Sequence, residues 1–232
     1  MTAASTRLPR GSLDRAAIEA AARTVIDDVG VEEFSIPRLA RALGVRPTAV
    51  HWHFKRKEDL LASLSLHALR TFNARLPGSG DDTWQVEINR YWTEYRTILR
   101  EDRVLLELLV VRWTELAQDP EAVRLSYERI NRQLELLLAA GFTPEGAARA
   151  YHTLSTYCRG CLLNERASLR SGLPDPARRL APHRVGADLT GLGAMQRAAP
   201  YWTFTFSTSQ DYAAGLHTII TGLERELESA TR

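Results

Sequence analysis

Phe34-Ser35-Ile36-Pro37-Arg38-Leu39-Ala40-Arg41-Ala42-Leu43-Gly44-Val45-Arg46-Pro47-Thr48-Ala49-Val50-His51-Trp52-His53-Phe54-Lys55-Arg56-Lys57-Glu58-Asp59-Leu60-Leu61 is the stretch that decides the fold. Ser35 can cap a short helix, with Pro37 near its first turn where a missing N–H costs nothing. Ile36, Leu39, Ala40 and Leu43 recur at helical spacing and face inward. Gly44 permits a sharp turn, and Pro47 opens a second short helix that turns Val50 and Phe54 inward. Between Phe34 and Lys57 stand six basic side chains (Arg38, Arg41, Arg46, Lys55, Arg56, Lys57) and no acidic one. A helix, a glycine turn and a second helix with segregated positive charge predict a helix-turn-helix that docks in the major groove of DNA.

The same period extends in both directions. Asp14 to Val29 predicts a first helix, with Ile18, Ala21, Ala22, Val25, Ile26 and Val29 as one stripe and Gly30 as its stop. Lys57 begins a longer helix carrying Leu60, Leu61, Leu64, Leu66 and Leu69 to about Ala74, a connector between two domains. Leu76 to Asp82 is a loop of breakers and the expected domain seam. Further helices are predicted over Trp84–Leu99, Val104–Ala117, Pro120–Ala139, Pro144–Leu169 and Ser209–Leu227. Thr143 is placed to cap the one opened by Pro144, and the glycine- and proline-interrupted stretch 171–200 reads as a flexible loop. Strand-like alternation is nearly absent, so the expected fold is all-α. It divides into a basic arm over 1–13, a DNA-binding domain over 14–60, and a ligand-binding and dimerisation domain over 61–232.

Composition narrows the class without naming a partner. The chain has 232 residues, 44% hydrophobic and 25% charged, enough for a sizeable core. Its formal net charge of +2 does not announce a polyanion ligand, so the local charge at 34–57 carries that inference. Lys55 and Lys57 are the only lysines; the other basic residues are arginine. No stretch approaches the roughly 18 apolar residues of a membrane span, and a cytoplasmic location with no membrane partner is expected. Cys158 and Cys161 share a helical face, but no second ligand pair accompanies them, so they read as packed thiols. No catalytic grouping stands out, and neither a cofactor nor a metal site is expected.

In the second helix of the motif Arg46 is the strongest candidate for reading a base, because a guanidinium can bond guanine through two parallel N–H groups. Thr48 and Ala49 suit thymine methyls or phosphate, and Lys55 and Lys57 are placed to hold the DNA backbone. Ser35, Arg38, His51, Trp52 and His53 complete the expected DNA-contacting set, with Phe54 and most of Trp52 expected in the core. Arg7 and Arg10 of the N-terminal arm are expected to add phosphate or minor-groove contacts.

Residues 34–61 resemble the signature of the tetracycline-repressor (TetR) family, with His51 where the usual form has tyrosine. The resemblance continues through Asp82-Thr83-Trp84-Gln85, Gly141-Phe142-Thr143-Pro144-Glu145, Arg159-Gly160-Cys161-Leu162-Leu163-Asn164, Gly215-Leu216 and Gly222-Leu223-Glu224. It implies an all-helical homodimeric repressor of a palindromic double-stranded operator, released by a small-molecule effector.

The resemblance also implies where such an effector would bind. At the family's drug-contacting positions this chain has Asn73 and Tyr91, at the metal-binding histidine Leu109, and at the supporting carboxylate Asn164. Leucine cannot ligate a metal and asparagine brings no charge, so magnesium-tetracycline is not the expected effector. The expected ligand-binding set is Asn73, Tyr91, Trp92, Tyr95, Arg96, Leu109, Trp113, Tyr127, His152, Thr156 and Asn164, suited to an aromatic or antibiotic-like molecule. Dimerisation is expected on the 144–169 helix and the last helix. The alternatives are a DNA-binding regulator without an effector and a helical enzyme with an incidental basic patch.

Overall fold

A computed structural model describes residues 13–117, 119–170, 186–201 and 209–230, with the side chains of residues 115, 168–170 and 230 excepted. Among them every regular element is helical. In chain order these are α1 (Arg15–Val29), α2 (Ile36–Leu43), α3 (Pro47–His53), α4 (Lys57–Arg75), α5 (Trp84–Glu101), α6 (Arg103–Leu106), a π-helical segment (Glu107–Val111), α7 (Trp113–Leu116), α8 (Pro120–Ala139), α9 (Pro144–Arg170), α10 (Gly193–Ala198) and α11 (Ser209–Ala230). The N-terminal arm with Arg7 and Arg10 lies outside the described residues.

The helix ends follow from side-chain chemistry. Asp14 accepts the Ala17 N–H at 2.7 Å and starts α1, and Gly30, at φ 81°, stops it. The Ser35 hydroxyl accepts the Arg38 N–H at 3.4 Å, and Gly44 closes α2 in the left-handed conformation at φ 68°, where a side chain would be strained. Asp59 accepts the Arg56 N–H at 3.0 Å and pairs with its guanidinium at 2.8 Å, which fixes the first turn of α4.

The chain divides into two compact units. One gathers α1 to α4 with residues 98–131, and the other gathers 77–97 with 132 onward; the division falls within α5 and within α8. The loop at Leu76–Asp82 therefore holds one boundary between the units. The long α4, assigned by sequence to the ligand domain from residue 61, belongs to the same unit as the helix-turn-helix.

In the first unit α2 packs against α1 and α3, and α4 against the π segment and α7. Ile18, Ile26, Phe34, Leu39, Val50, Phe54, Leu60 and Leu61 form the core around its first three helices, none more than 1% exposed. Burying each such side chain contributes about 1.5–3 kcal/mol, which holds the short α2 and α3 in place where propensity could not.

The helix expected over 104–117 is instead broken into α6, the π segment and α7. Residues 104–110 are all buried, glutamate included, so the run has no polar face whose period could fix the winding. The Arg112 N–H reaches back to the Glu107 carbonyl at 3.1 Å, the wider closure of a π turn. Asp102 caps α6 with one carboxylate oxygen, accepting the N–H groups of Val104 and Leu105 at 3.0 and 3.1 Å; its other oxygen pairs with Arg23 of α1.

In the second unit α9 packs against α11. The Tyr212 hydroxyl donates to the Trp92 carbonyl at 2.8 Å, and the Tyr157 hydroxyl donates to the Tyr212 carbonyl at 2.9 Å. Thr143 caps α9 by accepting the Gly146 N–H at 3.1 Å. The expected loop 171–200 contains α10; residues 171–185 lie outside the described set.

Candidate nucleic-acid interface and ligand-binding residues

The seven residues of α3 present two opposed faces. Val50 and, just past the helix, Phe54 are buried, while Thr48, His51 and Trp52 on the helix and Arg46 and Lys55 flanking it are exposed. Ala49 and His53 are half-buried. Trp52 is 81% exposed, a correction to its expected burial. It stands two residues past Val50, about 200° round the helix, so it cannot share the inward face. The Lys55 ammonium lies 5.9 Å from the centre of its ring.

Three side chains, Arg15, Lys57 and His51, tie the motif together around this face. The Arg15 guanidinium lies 4.1 Å from the Phe54 ring centre and donates to the His53 carbonyl at 2.9 Å. Arg15 and His53 stand 38 residues apart, and no local pattern in the sequence marks the contact. Lys57 donates to the Phe34 carbonyl at 2.5 Å and sits over the Phe34 ring, tying the start of α4 to the entry of α2. Burial and, after it, the positive charge of Arg112 lower its pKa from the ordinary lysine value. The ammonium of Lys57 is thus engaged inside the motif, and Lys55 is the open lysine. Finally, His51 Nδ1 stands 3.2 Å from the Lys55 carbonyl. Ser35 and Arg38 are half-buried beside α2, and the Ser35 oxygen serves as that helix's cap.

The expected ligand-binding residues fall in both units. In the first, Asn73 donates to the Leu125 carbonyl at 3.3 Å while its side-chain oxygen is buried without a partner. Leu109 is buried in the π segment, whereas Trp113 and Tyr127 are exposed. In the second, Tyr91, Trp92 and Tyr95 come together, the Trp92 ring 5.1 Å from each tyrosine ring. His152, Thr156 and Asn164 lie on the exposed face of α9, away from buried Leu154, Cys158 and Leu162.

Arg96 is 3% exposed and paired with Glu165 at 2.6 Å, with its guanidinium 4.5 Å from the Tyr212 ring centre. Glu165 was missed by sequence reading, although it follows Asn164 directly. Cys158 and Cys161 are buried and free, and desolvation pushes the Cys158 thiol up to about 12. A polar cleft lined by Arg23, Asp27, Arg75, Glu101 and Asp102 holds none of the expected ligand residues. Among the described residues no three His, Cys, Asp or Glu side chains gather as a metal-binding group.

Residues 18–64 match the family model for bacterial regulatory proteins of the tetR family, and residues 76–227 match the tetracyclin repressor-like C-terminal domain. The chain belongs to the tetR family. As a family member it is a DNA-binding transcription regulator and not an enzyme. It is 26% identical to an HTH-type transcriptional repressor of Mycobacterium tuberculosis H37Rv, over 78% of this chain and 69% of that protein. It is 27% identical to the class C tetracycline repressor of Escherichia coli, over 92% and 91% of the two chains. The fold matches that of ActR from Streptomyces coelicolor, solved in complex with actinorhodin, with TM-score 0.69 at 20% identity over 94% and 99% of the chains. No helix of the described residues is long and apolar enough to cross a membrane.

Proposed function

We propose that this tetR-family regulator is a homodimeric repressor that grips a palindromic operator with α3 of each protomer and is released by a small molecule other than magnesium-tetracycline. The observation that carries the operator reading is the exposed face of the motif: Arg46, Thr48, His51, Trp52 and Lys55, without a carboxylate, over a buried Val50 and Phe54. Arg46 reads a base edge, Thr48 and Ala49 lie close to the bases, and Lys55 and Trp52 hold the backbone. Lys57 acts indirectly, through the Phe34 carbonyl, by fixing the angle at which α4 leaves the motif.

Two residues argue against magnesium. Leu109 has no donor atom for a cation, and Asn164 has no charge to support one. The Tyr91, Trp92 and Tyr95 rings instead favour a planar, partly apolar effector. An effector carboxylate would have to displace Glu165 from Arg96. The dimer would use the outward faces of α9 and α11, where Ala148, Thr156, Gly160, Ala213, Ala214 and Gly222 permit close helix approach. Coupling of about 1–3 kcal/mol between effector and operator would weaken DNA binding about 5- to 150-fold.

The test compares the duplex upstream of the protein's own gene with a scrambled duplex at fixed salt. A regulator binds the first at least tenfold more tightly, and Arg46→Gln narrows that gap. Equal binding to both sequences, with a steep salt dependence, would instead mark an architectural binder.

A further inference from the structure

Trp92 is wholly buried, yet its indole N–H has no hydrogen-bond partner among the described residues. A donor left unpaired in this way costs free energy that a well-placed acceptor returns. Its ring is held on several sides. Tyr91 meets it edge-on with the ring centres 5.1 Å apart, and the rings of Tyr95 and Tyr151 stand at 5.1 and 5.6 Å. Behind the ring, the Trp92 main-chain carbonyl accepts the Tyr212 hydroxyl at 2.8 Å, which fixes the backbone from which the indole projects. The unpaired N–H therefore keeps one direction, and an acceptor that reached it would find a preorganised donor.

Neighbouring donors are already engaged. Tyr157 donates to the Tyr212 carbonyl, Tyr212 to the Trp92 carbonyl, and the Arg96 guanidinium is held by Glu165 and Ser209. The pairing with Glu165 at 2.6 Å also compensates the one buried positive charge of this cluster. A carboxylate brought among these rings would lose its water and gain no counter-ion. A neutral carbonyl oxygen loses far less water and offers the lone pairs that the indole N–H lacks.

We propose that the indole N–H of Trp92 selects the effector: a neutral, planar aromatic molecule carrying a carbonyl oxygen, of the aryl ketone or quinone class, which that N–H bonds directly. This rests on the reading of the Tyr91, Trp92 and Tyr95 rings as the effector's contacts, and adds to planarity both an acceptor and the absence of charge.

The experiment is equilibrium dialysis of full-length protein against three probes that share one flat ring system. Fluorenone carries the carbonyl, fluorene has a methylene in its place, and fluorenecarboxylate adds a negative charge. Fluorenone should bind about 5- to 50-fold more tightly than fluorene, because only it relieves the unpaired donor, and fluorenecarboxylate should bind more weakly than fluorenone. Trp92→Phe keeps a ring and the carbonyl that Tyr212 holds but has no N–H; in it fluorenone should fall to the level of fluorene. Infrared spectra of fluorenone on the native protein need no variant, and its carbonyl stretch should lie at lower frequency than in a dry hydrocarbon. Equal binding of fluorenone and fluorene, an unshifted stretch, or a preference that survives in Trp92→Phe overturns the proposal and leaves a planar effector standing. Tightest binding by fluorenecarboxylate overturns it in favour of an acid that displaces Glu165. Binding of none of the three overturns the planar-effector reading as well, with the operator reading untouched.

Discussion

Replacing Glu165 with leucine tests what a buried ion pair does in the second unit. Arg96 donates to Glu165 from Nε at 3.0 Å and from Nη2 at 2.6 Å, and their side chains are 4% and 14% exposed. Each hydrogen bond to a charged group contributes about 1.5–3 kcal/mol, and a buried pair broken from one side costs about 3–5 kcal/mol because the surviving charge has no partner. The Tyr212 ring at 4.5 Å and Ser209 at 3.5 Å remain to Arg96, so the lower end of that range is expected, about 3 kcal/mol. In a chain of this size that lowers Tm by roughly 6–12 °C. The double variant Arg96→Met, Glu165→Leu removes both charges and should recover most of the loss, ending within about 1 kcal/mol of the native protein. Thermal and urea unfolding at one fixed protein concentration read both, since a dimer's stability depends on concentration. A double variant as unstable as Glu165→Leu alone would show that the pair's worth lies in packing and not in mutual neutralisation, and the reasoning would fail.

Other substitutions probe the remaining joints. Asp102→Ala removes a helix cap and the partner of Arg23, and should cost about 1–2 kcal/mol in urea unfolding, whereas Asp102→Asn keeps the cap and should cost less than about 1 kcal/mol. A Cβ at Gly215 would overlap the Tyr157 hydroxyl and come within 2.7 Å of its Cζ, so Gly215→Ala must turn that ring off the Tyr212 carbonyl. The expected cost is about 1–3 kcal/mol despite the better helix propensity of alanine, and a stabilised variant would show that the ring yields freely. With its thiol pushed up to about 12, Cys158 is only about one part in ten thousand thiolate at pH 8, so a disulfide reagent should reach it after unfolding and not before. Stoichiometric labelling within seconds in the native protein would contradict that burial.

The fold was legible wherever a helix buries one stripe and ends on a residue with its own chemistry. Asp14, Ser35, Gly44 and Thr143 each do in the structure what their side chains, or the lack of one, dictate locally. Legibility failed where burial is complete. Across Val104–Val110 no polar face survives, so the sequence carries no phase information, and one helix was expected where an α turn, a π turn and another α turn occur. Near residue 60, the motif's end in sequence is not the end of its compact unit, because α4 takes its partners from residues about 40 to 60 positions later in the chain. Such contacts leave no trace in local periodicity.

The candidate interface could be read from the sequence as a face but not as a set of atoms. Spacing placed Val50 and Phe54 inward, and that alone forces Trp52 outward; the expectation of a mostly buried Trp52 weighed its apolar ring above its register. A large aromatic left 81% exposed beside Lys55 has a reason if the face is covered when the protein works, since an isolated protein gains nothing from leaving an indole in water. The two lysines then separate by geometry. Lys57 spends its ammonium on Phe34 and Lys55 holds its own over Trp52, open to an anion. Sequence shows two equivalent cations two residues apart, and only the carbonyl at 2.5 Å from one of them tells which is engaged and which is open. Lys55→Gln should therefore weaken DNA binding and flatten its salt dependence with little effect on unfolding. Lys57→Gln should lower stability as well, and equal responses from the two would erase the distinction.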